Sequence, residues 1–403
     1  MRKRTRVQKQ MGDFFYLFNP EHDMALANFT PYYRPPREII RMKEDLSYLP
    51  LWYAEKGSKV WVNDAGISEA FVSCCLSAGV RPYGISSVVW KGEDILPWGW
   101  NPSLVNGLIS KDIPAGLCPD KERLERIRFL SGRQRCIQVM KQLAGLEGIC
   151  GMAVECLSVS EVRDFIEKTG ETVLKAPWSG SGRGLLRLGP DGWNNNVQGW
   201  VARIIRSQGG IMGEPLYDKV CDFAMEFYAD GKGGVAFAGY SLFDTDAHGN
   251  YKLNFLLPDV EIERRLSEYV SSQGINRIKV HLLSVLQQLL GCDYCGYLGV
   301  DMMICSVDGG YRIHPCVEIN LRMNMGVVSR LFFDRHISMS SFGQYVVEHY
   351  TIDGEALEKH HERLAACPLQ VAIDGRIIHG YLSLTPVQME TRYQAYVMVE
   401  EVE

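Results

Sequence analysis

The sequence has no hydrophobic run long enough to cross a bilayer, which takes about 20 consecutive apolar residues. It has no excess of positive charge: the formal net charge is −5, so no nucleic-acid partner is expected. Its 12 cysteines follow none of the spacings that staple small secreted domains, which predicts reduced thiols and a cytoplasmic chain. The Cys-x-x-Cys at Cys292 and Cys295 has no second pair to complete four zinc ligands, and reads as two buried thiols. Internal repeats and low-complexity linkers are absent. Asp13–Phe18 is too short for the apolar core of a signal peptide, and Asn19-Pro20 interrupts it.

What remains is an ordinary globular composition, 46% hydrophobic and 23% charged, over 403 residues, enough for two or three domains. Only Met1 to Gln10 is strongly basic. Residues 1–12 therefore read as a solvated leader, with Met11 a second candidate start.

Apolar strands alternate with helical patterns through residues 13–118, which predicts a parallel α/β domain. The loop after its first strand carries Asn19, Glu21, His22 and Asp23. It is either a ligand loop at the carboxyl end of a strand or a polar turn capping a helix. The proline-rich stretch from Pro97 to Pro119 marks a boundary. Residues 119–340 follow as a second domain, whose segment from about 153 to 214 forms a compact subdomain around one glycine-rich loop. Two alternating patterns, Phe223–Tyr228 and Val235–Phe243, predict an antiparallel hairpin, and Glu261 to Leu290 reads as helical. Residues 341–403 are a C-terminal extension: a helix, then strands at Leu369–Ile373 and Arg376–Leu384.

Tyr297 to Asn320 reads as two strands around Asp308-Gly309. Alternation puts Leu298, Val300, Met302, Ile304, Tyr311, Ile313, Val317 and Ile319 on one apolar face. The other face carries Asp301, Cys316, Glu318 and Asn320, with Asp301 opposite Cys316 and one diagonal step from Glu318. Two carboxylates and an amide suit a hard cation such as Mg²⁺. A one-residue slip would send each residue to the wrong face. Separately, Lys175 ends an apolar strand before Ser179, Gly180, Ser181, Gly182, Arg183 and Gly184. Glycines let backbone N–H groups approach phosphate oxygens, although such a hairpin loop is often merely flexible. The loop joins two strands and so fits neither the Walker nor the dinucleotide fingerprint.

Together these features resemble the ATP-grasp superfamily over roughly Lys121 to Asn324. The resemblance implies an ATP-grasp fold with a Rossmann-like pre-ATP-grasp domain, a lid and a C-terminal antiparallel sheet. It implies ATP and Mg²⁺ as cofactors, with Asp301, Glu318 and Asn320 as metal ligands. Arg133 would reach the nucleotide, Lys175 and the loop from Ser179 to Gly184 would meet the phosphates, and Leu216 after Glu214 the adenine. Asp222 would take the ribose. Glu318-Ile319-Asn320-Leu321-Arg322 is similar to the carboxylate ligase and carboxylase branches, where the arginine steadies the acyl phosphate. Lys175, Arg183 and Arg322 are then the expected catalytic set. Asn19, Glu21, His22, Asp23 and Asn324 are the expected substrate contacts, with Lys252, Asn254 and His314 further candidates.

The expected activity is that of a ligase which activates a small-molecule or peptide carboxylate as an acylphosphate, working without membrane and with a second copy of the chain as partner. A small-molecule kinase on the same fold, a non-catalytic nucleotide-binding regulator and a sugar-nucleotide transferase are the alternatives.

Overall fold

The computed structural model describes residues 14–180, 184–246 and 251–401. The predicted leader, residues 1–12, and Ser181, Gly182 and Arg183 of the glycine loop lie outside the described residues. Among the described residues, no helix is long and apolar enough to cross a membrane.

The first sheet is parallel, built from β1 (Phe14–Leu17), β2 (Lys59–Trp61), β3 (Ile85–Ser87) and β4 (Asp94–Pro97) in the order β3-β2-β1-β4. Helix starts around it follow capping chemistry. Asp64 accepts from Ile67 N at 2.9 Å, and Asn101 accepts from Leu104 N at 2.9 Å with Pro102 at the first helical position. The chain moves outward from β1 to β3 and then returns to the other side of β1 as β4. That reversal leaves a crevice at the carboxyl ends of the strands.

A second, antiparallel sheet comprises β5 (Val154–Cys156), β6 (Thr172–Lys175), β7 (Leu185–Leu188) and β8 (Ile211–Pro215), ordered β5-β8-β6-β7. The helices Val159–Thr169 and Asn195–Gln208 cover it, and Val162, Ile166, Leu174, Val201 and Ile211 give it a core of its own.

The third sheet has nine strands: β9 (Asp218–Asp230), β10 (Val235–Thr245), β11 (Tyr251–Leu256), β12 (Cys295–Val307), β13 (Gly310–Asn320), β14 (Ser341–His349), β15 (Gln370–Val371), β16 (Ile377–Ser383) and β17 (Tyr393–Glu401), ordered β13-β12-β9-β10-β11-β14-β17-β16-β15. Phe223, Met225 and Phe227 of β9 join Leu298, Val300, Met302 and Ile304 of β12 in one core cluster. The helices Gln134–Leu143 and Ser272–Leu290 supply Val139, Leu282 and Leu286 to the same cluster. Slipping β12 by one residue would expose its four apolar side chains at roughly 6–12 kcal/mol, so this face holds the register of the acidic one.

The register of β12 on β13 shifts between Asp301 and Met303: near the turn Met303 faces His314, but Asp301 faces Glu318 directly, not Cys316. Pro315 lies in the shift and has no N–H for the ladder, which is where a strand accommodates extra residues. Through this bulge Cys316 turns into the core and Val317 out of it, while Tyr311 near the turn is exposed. The predicted helical stretch from Glu261 to Leu290 is two helices, Asp259–Leu266 and Ser272–Leu290, because Ser271 caps a new start through Gly274 N. Cys292 and Cys295 are exposed, since they lie where that helix turns into β12 at the sheet's rim; all 12 cysteines are free. Beyond residue 341 the helix Glu355–Ala366 and two short strands appear, but β14 and β17 are additional and pair with each other along nine positions.

One buried group makes a stability test independent of the site. His336, 3% exposed, ends the helix Met325–His336 with its ring 5.4 Å from that of Trp52 and 4.9 Å from that of Phe332. Burial, followed by the nearby Arg335 charge, lowers its pKa to about 3. The unfolded chain, with histidine near 6.5, therefore binds this proton first. The stability contribution is present above pH 6.5 and is lost as pH falls toward 3, by about 1.4 kcal/mol per unit. Between pH 6.5 and 4.5 the parent should lose roughly 2–3 kcal/mol relative to His336→Phe, as read from urea unfolding at each pH.

Candidate active site

The polar face of the large sheet lies opposite the apolar core face. Strand pitch puts Asp222, Ala224 and Glu226 of β9 on this face, alongside Asp301 of β12 and Glu318 and Asn320 of β13. Asn320 Nδ2 donates to Asp301 Oδ2 at 2.9 Å. Burial, and next the Glu318 charge, push Asp301 up to about 7. Two acids and an amide thus converge from adjacent strands, and the acids repel one another. No cluster of three or more His, Cys, Asp or Glu side chains suited to a metal occurs among the described residues.

Arg133 ties this face to the glycine loop. It stands at the N-cap of the helix Gln134–Leu143, 7% exposed, where the two predicted amphipathic helices break. Nη2 meets Glu318 Oε1 at 2.7 Å, while Nη1 donates to Ala176 O and to Ser179 Oγ, each at 2.6 Å. Burial opposes the charged form, but Glu318 outweighs it and holds the guanidinium above its usual pKa.

Lys175 ends β6 with its Nζ 2.6 Å from Glu214 Oε2 on β8. The strands set this up: Lys175 faces Met212 and Val173 faces Glu214, so the two charges are diagonal neighbours on one face. Both are buried, and His314 on β13 lies near enough for Lys175 to help burial lower that imidazole to about 3. Leu216 follows β8 and is exposed, with its N–H given to Glu171 O at 2.9 Å. Asp222 accepts from Thr245 Oγ1 at 3.0 Å and pairs with Lys219.

The first domain reaches the same place through Asp23. Its carboxylate forms a fork with Arg322, at 2.7 Å to Nη2 and 3.0 Å to Nε. Burial raises Asp23, yet Arg322 and then His22 prevail and hold it below the ordinary range. A Cβ added at Gly180 would stand 2.9 Å from Asp23 Oδ2, so the glycine loop passes close over this pair. The neighbours of Asp23 in the loop after β1 are engaged otherwise. Asn19 Nδ2 donates to Gly99 O at 2.8 Å, Glu21 pairs with Lys43 at 2.7 Å, and His22 is buried against Gly99 with its pKa lowered by burial to about 4.

Asn324 caps the helix Met325–His336 through Val327 N at 2.9 Å and donates to Glu226 Oε2 at 3.0 Å. Asn254 lies further along the face on Ser241 Oγ. Lys252 is exposed on β11. Glu226 was not singled out by motif. It is 1% exposed, and burial raises it to about 8. Side chains at Gly299 or Gly326 would collide with its carboxyl oxygens, which explains glycine at both. An acid in phase with Asp222, on a strand whose alternate residues are Phe223, Met225 and Phe227, was the available signal.

No protein-family model matches the sequence, and no curated protein matches it. Solved structures do resemble the fold. The biotin carboxylase domain of the 2-oxoglutarate carboxylase from Hydrogenobacter thermophilus, a dimer with MgADP, ADP and bicarbonate, aligns over 97% of this chain and 86% of its own at 12% identity and a TM-score of 0.51. The N5-carboxyaminoimidazole synthetase from Staphylococcus aureus, with ADP, aligns over 98% and 95% at 10% identity and a TM-score of 0.50. A Campylobacter jejuni biotin carboxylase β,γ-ATP complex aligns over 97% and 88% at 11% identity and 0.50.

Proposed function

From the premise that the chain has the ATP-grasp fold, we propose that it is an ATP- and Mg²⁺-dependent ligase that activates a substrate carboxylate as an acylphosphate. The observation that carries this reading is the direct opposition of Asp301 and Glu318, with Asn320 bonded to one and Arg133 joining the other to the glycine loop. The donor set fits a hard divalent cation: three oxygen ligands, two of them acids whose proximity is unfavourable without one. Bound there, Mg²⁺ would neutralise phosphate charge.

The chain's own groups do the rest by position and charge. Lys175, Arg133 and Arg322 each hold a carboxylate in this structure. Phosphate oxygens would compete for these cations, and Ser179 and the backbone of the glycine loop would add N–H and O–H donors. A substrate carboxylate oxygen attacks the γ-phosphorus; the bond to the β-phosphate oxygen breaks and ADP leaves. Arg183, at the loop's end, and Arg322 would stabilise the transferring oxygens. An amine or similar nucleophile then attacks the acyl carbon, the acyl carbon–oxygen bond breaks, and inorganic phosphate leaves. The small sheet β5–β8, with residues of about 153–214, acts as a lid that excludes water from this intermediate. Leu216 would lie against adenine and Asp222 take the ribose. Asp23 and Asn324 would border the substrate, a small molecule or peptide with a carboxylate. On the same reading the enzyme is cytoplasmic and pairs with a second copy of itself, as the Hydrogenobacter domain does.

Hydroxylamine distinguishes this reading from a kinase. In a panel of carboxylic acids supplied with ATP, Mg²⁺ and hydroxylamine, one acid should yield its hydroxamate with one ADP per product. A stable phosphorylated product with no hydroxamate would instead establish a kinase.

A further inference from the structure

The crevice at the reversal of the parallel sheet holds a cavity of about 360 Å³, within the range of small-molecule sites. Leu17 at the end of β1, Trp61 at the end of β2, and Leu104 and Leu108 on the helix Pro102–Ile109 give it apolar walls. Its charged groups are Glu21, Lys43 and Lys111.

Glu21 is 5% exposed. Its Oε1 takes Lys43 Nζ at 2.7 Å, and its Oε2 is buried with no hydrogen-bond partner among the described residues. A buried carboxylate oxygen without a donor is costly, and a bound N–H group would satisfy it. Lys111 is exposed and stands 4.3 Å from the Trp61 ring centroid at the wall of the cavity. Two lysines against one carboxylate leave an excess of positive charge.

We propose that this cavity binds an α-amino acid with an apolar side chain: ammonium on Glu21, carboxylate toward Lys111 and Lys43, side chain among Trp61, Leu104 and Leu108. A simple acid would leave Glu21 Oε2 unsatisfied, and a simple amine would leave Lys111 without an anion. A nucleotide fits poorly, because the turn after β1 is Asn19-Pro20-Glu21 with no glycine to admit phosphate, and Glu21 would repel it. Two residues on, Asp23 holds Arg322, so the loop that grips the ligand continues into the reaction site. The proposal rests on the ligase reading in making this amino acid one of the two substrates.

Calorimetry on the full chain with L-leucine and L-phenylalanine tests it, with isoamylamine and 4-methylpentanoate as one-ended analogues of leucine. Leucine or phenylalanine should bind, and each one-ended analogue should bind at least about tenfold more weakly than leucine. Glu21→Gln should weaken amino-acid binding by about tenfold or more, and so should Lys111→Met, whose exposed position spares the fold. Absence of heat with both amino acids, or parental affinity in Lys111→Met, overturns the proposal. Titrating ATP with Mg²⁺ into the same preparations separates the two readings. A chain that binds ATP but neither amino acid sinks only the amino-acid site; one that binds leucine but no ATP sinks only the ligase.

Discussion

Asp301→Asn is expected, on the ligase reading, to lower carboxylate-dependent ADP release by roughly 100- to 1,000-fold, the size of effect seen when one preorganised electrostatic group is removed from an active site. The same substitution should leave the melting temperature at pH 8 at or above that of the parent. The two effects have opposite signs for one reason: burial and the facing Glu318 raise Asp301 to about 7, so its charge is held at a cost to the folded chain. Asparagine keeps the shape and an acceptor for Asn320 Nδ2 while removing that charge. Glu318→Gln should lose activity to a similar degree but also lose stability, because Arg133 is buried and Glu318 is its carboxylate. Paired activity assays and thermal melts on the two variants test this. Unchanged turnover in Asp301→Asn would remove the acid pair from the chemistry, and a large fall in its melting temperature would make Asp301 a structural residue.

The sequence made the local parts of this site legible. Lys175 at a strand end, the glycine loop, and Asp301, Glu318 and Asn320 on one strand face all follow from alternation and loop chemistry. The pairing of Asp301 with Glu318 was not legible, because it depends on a bulge that only Pro315 hints at. Nor were the joints between distant segments: Arg133 to Glu318, Arg322 to Asp23, and Lys175 to Glu214 span residues far apart in the chain and belong to the tertiary structure. β17 escaped for a different reason. Tyr393 to Val397 are buried on both faces, so the two-residue alternation that marks a half-exposed strand is erased. Glu226 stood in a legible phase, but no motif drew attention to a lone acid in an apolar strand.

The second large effect concerns the clasp between the first domain and the carboxylate sheet. Arg322→Met should lower turnover by roughly 100- to 1,000-fold and also destabilise the fold by about 3–5 kcal/mol, since Asp23 is left as a largely buried charge without its partner. Those two losses can be separated. Asp23→Asn combined with Arg322→Met removes both charges, so most of the stability should return, and the double-mutant cycle should show coupling well above the few tenths of a kcal/mol of independent sites. On the ligase reading turnover should not return, because the guanidinium proposed to meet the transferring oxygens is still absent. Urea unfolding and hydroxamate formation, measured on the parent, both single variants and the double variant, give the full cycle. Recovery of turnover along with stability would make Arg322 a clasp and nothing more. A single variant as stable as the parent would show that the Asp23 fork is not formed in solution. Stability restored without activity is the pattern expected if Arg322 serves both roles, gripping Asp23 before the nucleotide arrives and phosphate oxygens afterward.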